Sequence, residues 1–581
     1  MTTKTFIKGK DRDLESSITD MRSKLLALGF DIEEVSWLNP VTGIYSVHIR
    51  DKHCHALFTN GKGSSKKACL ASALGEFFER LSCNYFFADY YLGQNHCQGG
   101  FVHYPNEKWF AITRDERPEA LMNPELWAYF DPDDQLMIAN LFDLNTGRID
   151  KGVCALPFQC LSNERYYYIP VNIIANIYVS NGMSAGNTAE EARVQALSEI
   201  CERYVKNKII AEGLCLPDIP MEVLRRFPKI MTMITELREH GYELKVADAS
   251  LGGQFPVISV TLINPGNGAV LPAFGAHPCF EVALERTLTE LLQGRRLDQL
   301  NEFHPPIFDM DEVASSQNLE MHFIDSTGYI SNDFFRSQPD FDFCDWNYDG
   351  RSRDQFHYLT TLIHRLGFHI YMADYTHLGV YACRIIVPGM SDIYPVDELL
   401  WENNNEGALY REQILTLDKS NAAQWQQLLQ QLEDGAYPDQ ALVSQFIGLL
   451  PQPDSVWATL RLGELKALLC LALQDKQAVA WIDWCLSLEE VSAQNPTFYR
   501  CLAALLEIKW HASRQYADYV YGLQVLFGKQ LLEQCLAMVE GDNVFSLLEC
   551  PGLALEGFDQ HQNLLAAYEK LQTAKIASGQ A

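Results

Sequence analysis

Apolar positions over residues 1–405 follow two different periods. The apolar runs Pro256–Ile263 and Ala269–Ala276 flank the turn cluster Asn264-Pro-Gly-Asn-Gly268, which predicts an antiparallel hairpin with a longer loop. Tyr167–Val171, Asn176–Ser180, Phe368–Met372 and Val380–Val387 read as further strands. Leu14–Gly29, Lys66–Phe86, Thr188–Ala211 and Val282–Leu292 carry helical spacing. Strands and helices do not alternate regularly, so an α+β fold fits better than a doubly wound parallel sheet.

After about Asn405 the pattern changes. From Ala422 onward strand signals nearly vanish, and helical periodicity is broken only at Asp434-Gly435, Pro451–Pro453, Gln494-Asn-Pro496 and Gly541-Asp542. Trp457–Leu473, Ala478–Leu486, Thr497–His511 and Ala517–Phe527 read as successive amphipathic helices. Their lengths suit a tetratricopeptide-like solenoid, but only fragments of that consensus are present, and a generic bundle fits equally. A chain of 581 residues is too long for one core. The expected organisation is a mixed domain over residues 1–405 and an all-helical domain over 420–581, joined by a loop.

Composition narrows the partners. Lys and Arg number 46 against 75 Asp and Glu, a net charge of −29, which disfavours phosphate backbones and anionic membranes as main partners. The N-terminus runs directly into charged residues, unlike a signal peptide, and Ala467–Leu473 is too short to cross a bilayer. The sixteen cysteines are scattered singly, with no Cys-x-x-Cys pair, which suits reduced, buried thiols in a cytoplasmic protein. His53-Cys54-His55 looks like a metal motif, but in a strand its alternate residues would face opposite ways.

Common catalytic motifs fail. No Gly-Lys is followed by Ser or Thr, so there is no P-loop, and Asn60-Gly-Lys-Gly63 lacks the remaining glycines of a dinucleotide fingerprint. Gly182-Met-Ser184-Ala-Gly186 matches the G-x-S-x-G elbow of serine hydrolases. An elbow serine sits at the helix start, whereas here the start signal is the later capping box Thr188-Ala-Glu-Glu191.

The informative pattern is a repeat. An offset of 123 residues aligns Gly63–Arg80 with Gly186–Arg203, matching Ser65 to Thr188, Ser72 to Gln195, Glu76 to Glu199, and Glu79-Arg80 to Glu202-Arg203. A third, looser copy places Arg286, Glu290 and Gln293 at the same spacing. Offsets of four and three put these groups on one helical face. A single such segment reads as a solvated surface. Three copies, with apolar residues such as Phe77, Phe78, Ile200, Cys201, Leu288 and Leu291 between the polar ones, read as largely buried helices. Buried carboxylates need pairing or a metal, and carboxylate oxygens beside phosphates suit Mg²⁺. Arg80, Arg203 and Arg286 suit phosphate oxygens. The glycine turns Asn60–Gly63 and Gly182–Asn187 would offer backbone N–H groups near helix starts.

These residues resemble the YcaO family over roughly residues 1–400. Its pattern S-x-x-x-E-x-x-E-R stands as Ser72, Glu76, Glu79 and Arg80, followed by Asn187, Glu191, Gln195, Glu199, Glu202 and Arg203, then Arg286 with Glu290; Arg384-Ile-Ile-Val-Pro-Gly-Met390 resembles its closing strand. The resemblance implies an enzyme that uses ATP and Mg²⁺ to activate a peptide backbone amide. It implies Glu76, Glu79, Glu199, Glu202 and Glu290 as magnesium ligands. Ser72, Arg80, Ser184, Asn187, Gln195, Arg203 and Arg286 would contact nucleotide, and Lys10 and Ser17 match an N-terminal arm that closes over it. Stand-alone members with an acidic helical C-terminal half are associated with β-methylthiolation of a small-subunit ribosomal protein, as accessory to a radical methylthiotransferase. Azoline-forming members end in a proline-rich tail, whereas this sequence ends LysIleAlaSerGlyGlnAla, which argues against peptide cyclodehydration. A nucleotide-switched scaffold that recruits the partner enzyme is the competing reading. It expects residues beyond about 410 to be removable without loss of nucleotide binding. Exposed helical faces suit a homodimer.

Overall fold

The computed structural model of the chain describes residues 4–97, 99–112, 117–143, 149–397, 406–488 and 495–578. Strands β1 (Ile32–Val41), β2 (Ile44–Asp51) and β3 (Phe58–Gly63) form one sheet. A larger sheet runs β4 (Lys108–Phe110), β5 (Val153–Cys160), β11 (Tyr371–Tyr375), β12 (Tyr381–Ile386), β7 (Met183–Gly186), with β6 (Tyr166–Pro170) also paired to β5. The third sheet is β10 (Val270–Ala276), β9 (Val257–Ile263), β8 (Glu243–Asp248). All the ladders between these strands are antiparallel. With helices beside three antiparallel sheets, the mixed part is α+β in the expected sense.

The predicted hairpin is present in register, with Val270 opposite Ile263 and Ala276 opposite Val257. Helices α1 (Leu14–Ala27), α2 (Lys66–Ser82), α3 (Ala189–Glu212) and α4 (Phe280–Leu291) stand where the spacing placed them, α2 ending four residues before Phe86; further helices here include α5 (Ser352–Arg365) and Pro228–Glu239. Asn176–Ser180 is not a strand. Its residues belong to helical turns over Val171–Tyr178, and Val179 then takes φ 48. All of this short run but Val179 is buried, and such runs do not separate a strand from a buried helical segment. His53-Cys54-His55 is likewise a turn, held by Asp51, whose Oδ2 accepts from the amides of His53 (3.1 Å) and Cys54 (3.0 Å).

The helical half contains α6 (Ala422–Asp434), α7 (Leu462–Ala472), α8 (Ala478–Ser487), α9 (Pro496–Lys509), α10 (Tyr516–Phe527), α11 (Lys529–Val539) and α12 (Asp559–Ala577). The expected linker is partly helical too: Arg411–Leu415 is a helical turn whose Ile414 and Leu415 sit in the helical core. Helix α12 leaves that core. Its Leu564, Ala567, Tyr568 and Leu571 pack with Phe77, Phe78, Leu81 and Phe87, on the back of α2. The Lys575 ammonium, fully buried, donates to Asn84 Oδ1 (3.3 Å) and the His103 carbonyl and lies 4.3 Å from the Tyr104 ring centre. His561 completes the attachment, accepting at Nδ1 from the Leu450 amide (3.0 Å) with Nε2 2.7 Å from the Tyr91 carbonyl. The last helix is therefore part of the core that supports α2, which the sequence reading assigned to a separable domain.

Candidate functional site

The repeat seen in the sequence is a repeat in space. In the first two copies a strand ends in glycine and a hydroxyl caps the next helix: Ser65 Oγ accepts from Ala68 N, and Thr188 Oγ1 from Glu191 N. Gly63 and Gly186 meet their helices alike. A methyl group on Gly63 would lie 2.7 Å from Cys69 N, and on Gly186 2.8 Å from Ala192 N, six residues on in both. The third copy, β10 into α4, lacks a side-chain cap. A methyl group on its Gly275 would lie 2.8 Å from Thr287 N, and one on Gly61 2.7 Å from Ala73 N, twelve residues on in both. Strands β3, β7 and β10 thus present α2, α3 and α4 with matching faces.

These faces line one cavity of about 880 Å³. Ser72, Glu76, Glu79, Arg80, Ser184, Asn187, Gln195, Glu199, Glu202, Arg203, Arg286 and Glu290 all border it, with Lys10 and Ser17 from the N-terminal segment. Every candidate site residue from the sequence is therefore brought to the same place, although they span residues 10 to 290. Arg80 Nη2 donates to Glu76 (3.2 Å), and its Nε is 3.8 Å from Glu79. Arg203 pairs with Glu199 at 2.8 Å and donates to Asn181 Oδ1 at 3.2 Å. Glu202 Oε2 accepts from the Ala276 amide (3.1 Å), linking α3 to β10. Arg286 donates to Gln195 Oε1, and Gln293 Nε2 to the Asn60 carbonyl (2.7 Å).

The N-terminal segment is tied in by Glu191, which is 4% exposed. Its carboxylate pairs with Lys10 Nζ at 3.2 Å and accepts from Asp11 N (2.9 Å) and Asn187 Nδ2 (3.0 Å). Asn187 Oδ1 in turn accepts from Ser17 Oγ at 2.7 Å. Burial pushes Glu191 upward, but Lys10 and these donors outweigh it and hold the carboxyl below its ordinary value. Glu79 goes the other way. Burial drives it well above the usual carboxylate range, with Glu199 and Glu76 adding to the rise and Arg80 opposing it. His277, facing Arg286 and Lys10, is pushed down to about 3 by burial and stays neutral.

The pocket fits a metal-bound polyphosphate on two observations. Burial and the neighbouring Glu199 and Glu76 raise the Glu79 carboxyl well above its ordinary value, a shift that a divalent cation would oppose. Ser184 Oγ and Arg80 Nη1 are buried at the cavity and have no hydrogen-bond partner among the described residues. Among the described residues no three His, Cys, Asp or Glu side chains form a ready cluster for a metal ion. One site residue escaped the sequence reading: Lys62, on β3, borders the cavity and pairs with Glu290. Lys62 was visible as the lysine between two glycines, a signal that the failed dinucleotide fingerprint obscured.

Three antiparallel sheets, each sending a helix with acidic residues into a shared cavity, define a nucleotide-and-magnesium type of pocket unlike a P-loop or a dinucleotide fold. Residues 60–391 match the family described as "YcaO cyclodehydratase, ATP- and Mg²⁺-binding", and residues 407–577 match the YcaO cyclodehydratase C-terminal domain. The chain belongs to the YcaO family, whose ligands are ATP and Mg²⁺. It is 51% identical, over 99% of both chains, to the ribosomal protein S12 methylthiotransferase accessory factor YcaO of Escherichia coli. An uncharacterized protein of Haemophilus influenzae is 50% identical over 99% of both chains. More distant solved structures include a heterocyclase in complex with substrate and cofactor (17% identity, 67% of this chain and 54% of that one, TM-score 0.43). Another is YcaO from Methanopyrus kandleri bound with AMPPCP and Mg²⁺ (17%, 67% and 95%, TM-score 0.41). Among the described residues no helix is long and apolar enough to cross a membrane.

Proposed function

We propose that this protein binds Mg·ATP between α2, α3 and α4, uses it to activate a backbone amide, and acts as an accessory factor in β-methylthiolation of a small-subunit ribosomal protein. The observation that supports this most is the convergence of three repeated helices, from distant parts of the chain, on one cavity. Glu76, Glu79, Glu199, Glu202 and Glu290 would hold the metal; Arg80, Arg203 and Arg286 would take phosphate oxygens. Ser72, Ser184, Asn187 and Gln195 would place the nucleotide, and Lys10 and Ser17 would hold the N-terminal segment over it. Bound Mg·ATP supplies a phosphoryl group that turns the oxygen of an attacked amide into a leaving phosphate. The protein's share is to orient the triphosphate, neutralise its charge and keep water out. The S12 context follows from the E. coli relative at 51% identity over nearly the whole chain. The helical half, read as tetratricopeptide-like, would serve a second copy or the methylthiotransferase as a docking surface, in the cytoplasm. The test is Mg²⁺-dependent ATP turnover. Glu199→Ala and Glu290→Ala should each abolish it while the fold survives, and normal turnover by both would end the magnesium assignment.

A further inference from the structure

The repeat exposes one residue with no counterpart. The position of Lys62 on β3 corresponds to Ala185 on β7 and Ala276 on β10. Its neighbours explain how a long cation is delivered there. A methyl group on Gly61 would lie 2.2 Å from the Cys69 carbonyl, and one on Gly63 2.7 Å from Cys69 N, so both glycines press against α2. Alternation along the strand sends Lys62 to the opposite face, where it borders the cavity and pairs with Glu290 of α4. Glu202, Glu199 and Glu76 attract it and Arg286 repels it, so it stands among the acidic groups of all three helices. Each of the three arginines also has a partner at the site: Arg80 pairs with Glu76, Arg203 with Glu199, and Arg286 donates to Gln195.

Glu290 cannot serve a lysine and a divalent cation equally well. We infer that Lys62 neutralises Glu290 while the site lacks its cation, and donates to a phosphate oxygen of the nucleotide once Glu290 is committed to that cation. This rests on the Mg·ATP reading above. A flexible four-carbon stem carrying three rotatable donors suits such an exchange. Lys62 is thereby a nucleotide-binding residue that also protects the unloaded carboxylates from mutual repulsion.

The two roles predict opposite effects of one substitution. In Lys62→Met, binding of Mn²⁺ without nucleotide, followed by electron paramagnetic resonance, should tighten several-fold because Glu290 is released. Binding of AMPPNP with Mg²⁺, followed by calorimetry, should weaken about tenfold or more, the scale of one charge-assisted hydrogen bond. Lys62→Arg should recover part of the nucleotide affinity. Unchanged binding of both ligands, or a parallel loss of both with an unaltered melting temperature, would overturn the inference. If Lys62→Met does not fold, Lys62→Gln is measured against the same outcomes. Absence of Mg·AMPPNP binding by the unaltered chain would instead overturn the nucleotide reading itself.

Discussion

Removing α12 should damage the nucleotide-binding half, although this helix lies at the far end of the sequence. A chain stopped after Gly557 loses His561, Leu564, Ala567, Tyr568, Leu571 and Lys575, each between 0% and 2% exposed. Burying a leucine contributes about 1.5–3 kcal/mol, so Leu564, Leu571 and the Tyr568 ring together account for roughly 6 kcal/mol on the helix side alone. Uncovering Phe87, whose ring stands 5.3 Å from that of Tyr568, adds to this. Such a loss is comparable with the whole stability of a domain, about 5–15 kcal/mol. The truncated chain should therefore be insoluble or melt far below the full chain. The graded version is Leu571→Ala, expected to cost about 2–5 kcal/mol. Thermal melting with limited proteolysis of α2 reads both. A truncated protein that stays soluble, melts as before and binds Mg·ATP normally would refute the reasoning and restore the picture of two separable halves.

Further outcomes follow from single residues. Burial lowers Lys575 from 10.5 to about 7, so between pH 7 and 10 the unfolded chain holds a proton that the folded chain releases, and stability rises with pH. Lys575→Met should remove that rise, about 1.4 kcal/mol per pH unit at most, from melting profiles taken at pH 6 to 9; an unchanged pH dependence would mean the ammonium is not desolvated. Gly61→Ala drives a methyl group into the Cys69 carbonyl and should cost about 1–3 kcal/mol or more, seen as a lower melting temperature. Ser184 is 1% exposed in β7, so a fluorophosphonate probe should not label it, and labelling that disappears in Ser184→Ala would revive the hydrolase reading.

The legible features were those set by local pattern. The apolar runs flanking the Asn264–Gly268 turn specified the β9–β10 hairpin, and the capping signal at Thr188 marked where α3 begins. The site was legible because the same chemistry recurs at a fixed offset, which a single acidic helix would not have revealed. Asn176–Ser180 was misread because so short a run, buried at all but Val179, shows no period. The support of α2 by α12 was invisible for a different reason. His561 and Tyr91 are 470 residues apart, and no local spacing signals such a contact. Lys62 lies between these cases: its glycine flanks were plain, but their meaning depends on how closely β3 approaches α2.

The central claim is that α2, α3 and α4 jointly hold Mg·ATP, and calorimetric titration of ATP in the presence and absence of Mg²⁺ tests it most directly. The account predicts magnesium-dependent binding by the unaltered chain that is lost in Glu199→Ala and again in Glu290→Ala, each retaining its melting temperature. Binding that ignores Mg²⁺, or survives both substitutions, would contradict it.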